Sequence, residues 1–400
     1  MRLDHLPGSP HLTYCTNIHA GESWEEIEAS LRIHVPPIKA AVAPDRPFGL
    51  GLRLSGIAAD ALAGAGTRER FAALLADQDV YVFTINAFPY GPFHGTRVKE
   101  EVYQPDWTTN ERLRFTNLAA DHLAALLPAG VIGSVSTVPG CFKLRAAAPG
   151  AVEAMAARLV DHAAHLVRIE QETGRRIALA IEPEPCCFLE TIEESVRFFE
   201  DQLFSVASRE RLAAASGLAR GEAEAALRAH LGICYDVCHA AVEFEEPAGS
   251  LRALASAGIA IPKLQLSSAI RIKAVDEQTE VRLRAFDDGV YLHQVVERRP
   301  DGRITRHPDL GPAFAGLRSG EARGEWRVHC HVPIFLEDLG GLGTTQDFLR
   351  AVIACCRTEA ISPHLEVETY TWDVLPSQHA GEDKAASIAR EIAWAAEALG

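Results

Sequence analysis

The stretch Ile177-Ala178-Leu179-Ala180-Ile181-Glu182-Pro183-Glu184 is an apolar run that breaks off in carboxylates, and Leu231-Gly232-Ile233-Cys234-Tyr235-Asp236-Val237-Cys238-His239 does the same. The residues between them, Ile192 to Phe204 and Arg209 to Leu227, are rich in Ala, Leu, Glu and Arg at helical spacing. A short apolar run bounded by turn residues reads as a strand buried on both faces, and the longer segments read as the helical crossover to the next strand.

The same alternation extends in both directions. Further strands are expected at His11 to Ile18, Phe48 to Leu54, Val80 to Ala87, Ile132 to Val138, Pro262 to Ser267 and His364 to Thr369, with helix-patterned segments between them. Eight strands alternating with helices predict a closed parallel (β/α)₈ barrel occupying residues 1–400 as one domain. An open doubly wound sheet is the competitor, but no GxGxxG turn follows the first strand. One stretch, Ala269 to Arg327, breaks the rhythm. It carries Tyr291 to Val296, then Arg298-Arg299-Pro300-Asp301-Gly302-Arg303, a β-hairpin signature with an Asp-Gly turn. We read 269–327 as an insertion between late strands that covers the barrel mouth or makes a homodimer contact.

Hydrophobic residues at 48% and charged residues at 23% suit an ordinary globular core. A net charge of −15 argues against general affinity for nucleic acid, which is driven by Lys and Arg releasing counterions. The start, Met1 to Pro7, lacks the basic and apolar regions of a secretory signal, and no run reaches the roughly 18 apolar residues of a membrane helix. The expectation is a cytoplasmic protein with no membrane insertion and a small-molecule partner. Nine cysteines, none at zinc-finger spacing, read as reduced and mostly buried.

In a barrel of this kind, function sits at the C-terminal ends of the strands. Glu182, Asp236 and the pair Glu366/Glu368 all fall there, and buried carboxylates need a cation or hydrogen bonds to compensate them. Several together predict a divalent metal, with Mn²⁺, Mg²⁺, Co²⁺ and Zn²⁺ all suited to oxygen ligands and one or two imidazoles. Trp326-Arg327-Val328-His329-Cys330-His331 adds two histidines on one face of an extended segment. Tyr90, His94 and Trp107 follow the third strand and are candidates for lining a substrate pocket.

Tyr235-Asp236-Val237-Cys238-His239-Ala240 and the carboxylate-ended strands resemble the xylose-isomerase-like superfamily of sugar isomerases, sugar 3-epimerases and endonuclease-IV-type enzymes. The resemblance implies Glu182, Asp236 and Glu368 as metal ligands, with Glu366 as the alternative last ligand or a substrate contact, and His239 as a substrate or second-metal contact. The strand-seven position departs from the pattern, offering Gln265 where the superfamily has His; Gln265 can coordinate through its carbonyl oxygen, or His331 or His329 supplies the missing imidazole, and His329 is also a candidate substrate contact.

Longer phrases, among them Asn86-Ala87-Phe88-Pro89-Tyr90-Gly91, Val102 to Trp107 and His364-Leu365-Glu366-Val367-Glu368-Thr369-Tyr370-Thr371-Trp372, are similar to the metabolite-traffic EboE family. That likeness implies a role in making or exporting a secondary metabolite or lipid-linked precursor beside the pathway partners of an ebo cluster. The reaction implied by a metal between Glu182 and Glu368 is proton abstraction beside a carbonyl, one carboxylate taking the proton and the other returning it. The expected activity is isomerisation or epimerisation of a sugar-like polyhydroxy carbonyl compound. The alternatives are a non-catalytic carrier on the same barrel and an endonuclease-IV-like phosphodiester hydrolase.

Overall fold

Seven of the expected runs fold in turn as β1 (His11–Tyr14), β2 (Phe48–Arg53), β3 (Val80–Asn86), β4 (Gly133–Thr137), β5 (Ile177–Ile181), β6 (Leu231–Asp236) and β7 (Ala260–Leu266). The computed structural model describes residues 1–92, 99–287, 289, 291–372 and 383–400. After β7 the chain makes an excursion through β8 (Ile270–Ile272), β9 (Val295–Arg298), β10 (Ile304–His307), β11 (Glu325–Val328) and β12 (Gly343–Thr344), then returns as β13 (His364–Val367). β1 to β7 and β13 form one eight-stranded parallel sheet in the order β1-β13-β7-β6-β5-β4-β3-β2. Its two edges meet: Cys15 and Gly51 form a parallel bridge, and the Gly51 and Arg53 N–H groups donate to Thr13 Oγ1 at 3.2 Å and Thr16 Oγ1 at 2.8 Å. The fold is therefore a (β/α)₈ barrel, its seam sealed partly by threonine hydroxyls.

Glycine is required at that seam. A Cβ on Gly51 would lie 1.9 Å from Glu366 Oε1 and 2.8 Å from the Tyr14 carbonyl. Helices alternate with the strands and are started by local signals. Ser23 and Glu26 form a capping box at the head of Trp24–Val42, and Thr191 and Glu194 another at Ile192–Phe198. The short helix Val237–Val242 is capped by Asp236, whose Oδ1 accepts the His239 N–H at 2.9 Å. This cap matters below, because it fixes a carboxylate and an imidazole one turn apart.

The excursion is an antiparallel sheet in the order β10-β9-β11-β8-β12 with its own apolar cluster, including Ile270, Leu283, Val295, Phe314 and Trp326. The hairpin over Asp301-Gly302 joins β9 to β10, with Gly302 at φ 84°. The excursion runs past Arg327 to Thr344, because β11 is the middle strand of this sheet and not the chain's way back to the barrel. It docks through Arg306, which lies 2.5 Å from Glu243 and 3.2 Å from Glu190, and through Arg327, which donates to the Ala241 carbonyl at 2.6 Å. Among the described residues no disulfide joins the cysteines, and no helix is long and apolar enough to cross a membrane.

Candidate metal centre

Strand pleating turns alternate residues into the barrel. The last inward positions of three walls are Glu182 just after β5, Asp236 at the end of β6 and Glu368 just after β13, each at most 4% exposed. Their carboxylate oxygens lie within 4.8 Å of one another. Burial, then the charge of Glu368, pushes Glu182 well above the usual carboxylate range; burial, then Asp236, does the same to Glu368. Glu368 Oε1 accepts from Asn17 Nδ2 at 2.7 Å and Asn86 Nδ2 at 3.2 Å, and Asp236 Oδ1 accepts from the Ser267 hydroxyl at 2.9 Å. Glu182 Oε2 and Asp236 Oδ2 are buried with no hydrogen-bond partner among the described residues. Ionised carboxylate oxygens gathered away from water are unfavourable by several kcal/mol unless they take up protons or a cation stands among them.

Three imidazoles close the site from the side of the excursion. His239 Nδ1 faces the Pro183 carbonyl at 2.9 Å, His331 Nδ1 faces the Glu368 carbonyl at 3.0 Å, and His329 Nδ1 faces Gln294 Oε1 at 2.7 Å. The Gln294 amide is oriented by its nitrogen, which donates to Tyr103 Oη at 3.0 Å, Glu184 Oε1 at 3.3 Å and the Pro185 carbonyl at 3.2 Å. Each Nδ1 thus carries the proton, and each Nε2 presents a lone pair. Yet His239 Nε2 lies 3.0 Å from His329 Nε2 and 3.4 Å from His331 Nε2, with no proton left to share. Two imidazole nitrogens on one ion at about 2.0–2.1 Å stand about 3 Å apart, so this spacing suits shared coordination. Burial lowers His239 to about 4 and His329 well below its ordinary value, keeping both rings neutral.

Together the ligand atoms form overlapping sets. Glu182, Asp236 and Glu368 make an all-oxygen set; Asp236 joins His239 and His331; Glu184 joins His239 and His329; Cys238 joins His329 and His331. The carboxylate trio suits hard cations, and the imidazoles suit transition ions. Glu184 accepts the Tyr103 hydroxyl at 2.6 Å, and burial raises it to about 8. A cleft of about 550 Å³ opens above, with Glu182, Glu184, the three histidines and Glu368 at its floor.

Several sequence expectations need correction. Gln265 is fully buried in register with Glu366, below the level of Glu368, and its Oε1 accepts from Cys234 Sγ at 3.3 Å; the imidazole beside Asp236 is His331, whose Nε2 lies 3.9 Å from Asp236 Oδ2. Glu366 shares Glu368's inward face but lies one layer deeper, 2.5 Å from Lys263 Nζ with both side chains at 0% exposure, so it does not reach the cleft. Lys263 also donates to Ser136 Oγ at 3.2 Å. Trp107 is wholly buried, donating to Thr137 Oγ1 at 3.1 Å, and Tyr90 packs edge-on to Phe115 at 5.1 Å; neither lines the cleft. His94 lies outside the described residues. Lys263, Asn17, Gln294 and the site roles of Asn86 and Glu184 escaped the sequence reading, although Glu-Pro-Glu at the end of β5 was a local signal for Glu184.

No family model matches the chain, and no curated protein matches it. Among solved structures, the chain resembles the IOLI protein with a binding zinc atom, at 12% identity and TM-score 0.47 over 97% of this chain and 98% of that one. It also resembles a xylose isomerase-like TIM barrel protein from Mycobacterium smegmatis in complex with magnesium, at 11% identity and TM-score 0.47 over 98% and 96% of the two chains. A xylose isomerase domain protein from Planctomyces limnophilus matches at 13% identity and TM-score 0.47, over 98% and 95%.

Proposed function

We propose that the chain is a divalent-metal-dependent enzyme that isomerises or epimerises a sugar-like α-hydroxy carbonyl compound. The observation that carries the reading is the convergence of unpartnered carboxylate oxygens with imidazole lone pairs beneath an open cleft. Glu182, Asp236, Glu368 and His331 would hold the ion, with His239, His329 and Glu184 able to extend the ligand set. When bound, the cation supplies polarisation of the substrate oxygens. Glu182 and Glu368 rise from strands separated by β6 and β7, so they approach a substrate from opposite walls. One carboxylate takes the proton from the carbon beside the carbonyl and the other returns it. Asn17 and Asn86 fix Glu368 by its Oε1, and His239 is placed to touch substrate.

This reading is preferred to a phosphodiester hydrolase because the early strands bring amides, Asn17 and Asn86, to the centre where a richer metal cluster would use further imidazoles. The carrier reading drew on Gln265 standing in for histidine; in the present proposal His331, 3.9 Å from Asp236, would supply that imidazole. The likeness to the metabolite-traffic EboE family adds the proposal of a secondary-metabolite or lipid-precursor pathway with ebo-type partners. Elemental analysis is expected to find stoichiometric divalent metal in the wild type and none in Asp236→Ala. Solvent deuterium is expected to enter ketoses or simpler α-hydroxyketones, about 10²–10⁴-fold more slowly in Glu182→Gln or Glu368→Gln. Metal-free wild type, or no exchange across such a panel, defeats the proposal.

A further inference from the structure

We propose that the substrate carries its oxygens at one end and a largely apolar body, an aromatic ring or a branched hydrocarbon, at the other. The inference rests on the metal-dependent reading above and narrows its substrate class. The cleft has two unlike halves. Its floor is carboxylate and imidazole with the amides of Asn17 and Asn86, while its wall is mainly Phe88, Pro89, Val102, Tyr103, Leu292 and Tyr370, with Tyr291 and Lys99 beside them.

What polar atoms this wall has are already engaged. The Tyr103 hydroxyl donates to Glu184 at 2.6 Å and accepts from Gln294 at 3.0 Å. The Tyr370 hydroxyl points to His329 Nε2 at 3.4 Å. At the rim, Lys99 donates to the Tyr291 carbonyl at 2.7 Å and to Asp309 at 2.6 Å. A hydroxyl turned to the wall would lose water and gain no partner, which weakens binding by on the order of tenfold for each group so stranded. A sugar can stack one C–H face on a ring, yet its hydroxyl edges would still meet Pro89, Val102 and Leu292. A compound with two adjacent oxygens for the floor and carbon beyond them satisfies both halves, since apolar area removed from water is favourable.

The discriminating probes share one reacting end. 2-Hydroxyacetophenone, dihydroxyacetone and D-fructose are all α-hydroxyketones, with a phenyl body, no body and a polyhydroxy body. Dissociation constants are measured by ligand-observed NMR on the full chain, with metal content determined on the same samples. The phenyl ketone is expected to bind at least tenfold tighter than the other two. Phe88→Ala and Leu292→Ser should each reduce that preference several-fold while leaving dihydroxyacetone affinity and metal content unchanged. D-fructose or dihydroxyacetone binding as tightly as the phenyl ketone overturns the inference, as does an equal loss for all three ligands in both variants. Absence of metal from the wild type would defeat the metal-dependent reading, and the affinity ranking on that same protein would still decide this inference.

Discussion

The lone pair that His329 presents depends on Gln294. Its carbonyl faces His329 Nδ1 while its nitrogen is held by Tyr103, Glu184 and the Pro185 carbonyl. Outer partners of this kind typically change metal affinity 10- to 100-fold. Gln294→Leu is expected to weaken metal binding by about that factor in competition with a chelator, with the circular dichroism spectrum unchanged. A second residue-scale prediction concerns Lys263 and Glu366. Lys263→Met leaves Glu366 buried without its cation and should destabilise the fold by about 3–5 kcal/mol in denaturant unfolding, whereas Lys263→Met with Glu366→Leu should recover most of that loss. This pair was invisible in sequence because its halves lie on β7 and β13 with the whole excursion between them. Glu182 and Asp236 were legible because an apolar run that stops at an acid is a local signal. Tyr90 and Trp107 misled because a proline-rich loop says nothing about which way its aromatics turn.

At the scale of elements, the eight barrel strands were readable since each is a short, mostly buried run, usually apolar or β-branched, between helical segments, whereas the far boundary of the excursion was not. β11 has the same local character as a returning barrel strand, and only its pairing with β8 and β9 shows otherwise. The helix Lys384–Leu399 carries a different tension. Its Glu391 is 1% exposed and accepts from the Thr369 hydroxyl at 2.7 Å and the Ile334 N–H at 3.0 Å, and burial still raises it from 4.5 to about 7. Because the folded form holds this proton more tightly than the unfolded chain, the contribution is neutral below about pH 4.5. It turns against folding as pH rises toward 7, approaching about 3 kcal/mol above that. Glu391→Gln is therefore expected to melt higher than wild type at pH 8 and to lose that advantage at pH 4, as read by calorimetry.

For the whole molecule, the candidate centre draws Glu182 and Asp236 from the barrel and His329 and His331 from the segment that follows β11 within the excursion, so an ion held there joins two separately packed cores. Anything that binds only the folded state stabilises it, by about 2.7 kcal/mol at a free concentration one hundred times the dissociation constant. Treatment with a chelator should lower the melting temperature by several degrees and accelerate amide exchange in β9 and β11 ahead of β4 and β5. Asp236→Ala should be indifferent to the chelator.

β13 sits between β1 and β7, pairing His11 with His364 from near the two ends of the sequence. Bringing distant segments together adds little to the equilibrium balance, since each doubling of a loop adds only about 0.6 kcal/mol, but it slows the search that finds them. On a ribosome, β2 to β7 can pair with their neighbours as they emerge, while β1 has only its seam with β2 until the partner that fills its other edge is made last. That partner leads directly into Glu368, so closing the cylinder and completing the ligand set become one late event, and a chain halted before β13 holds neither.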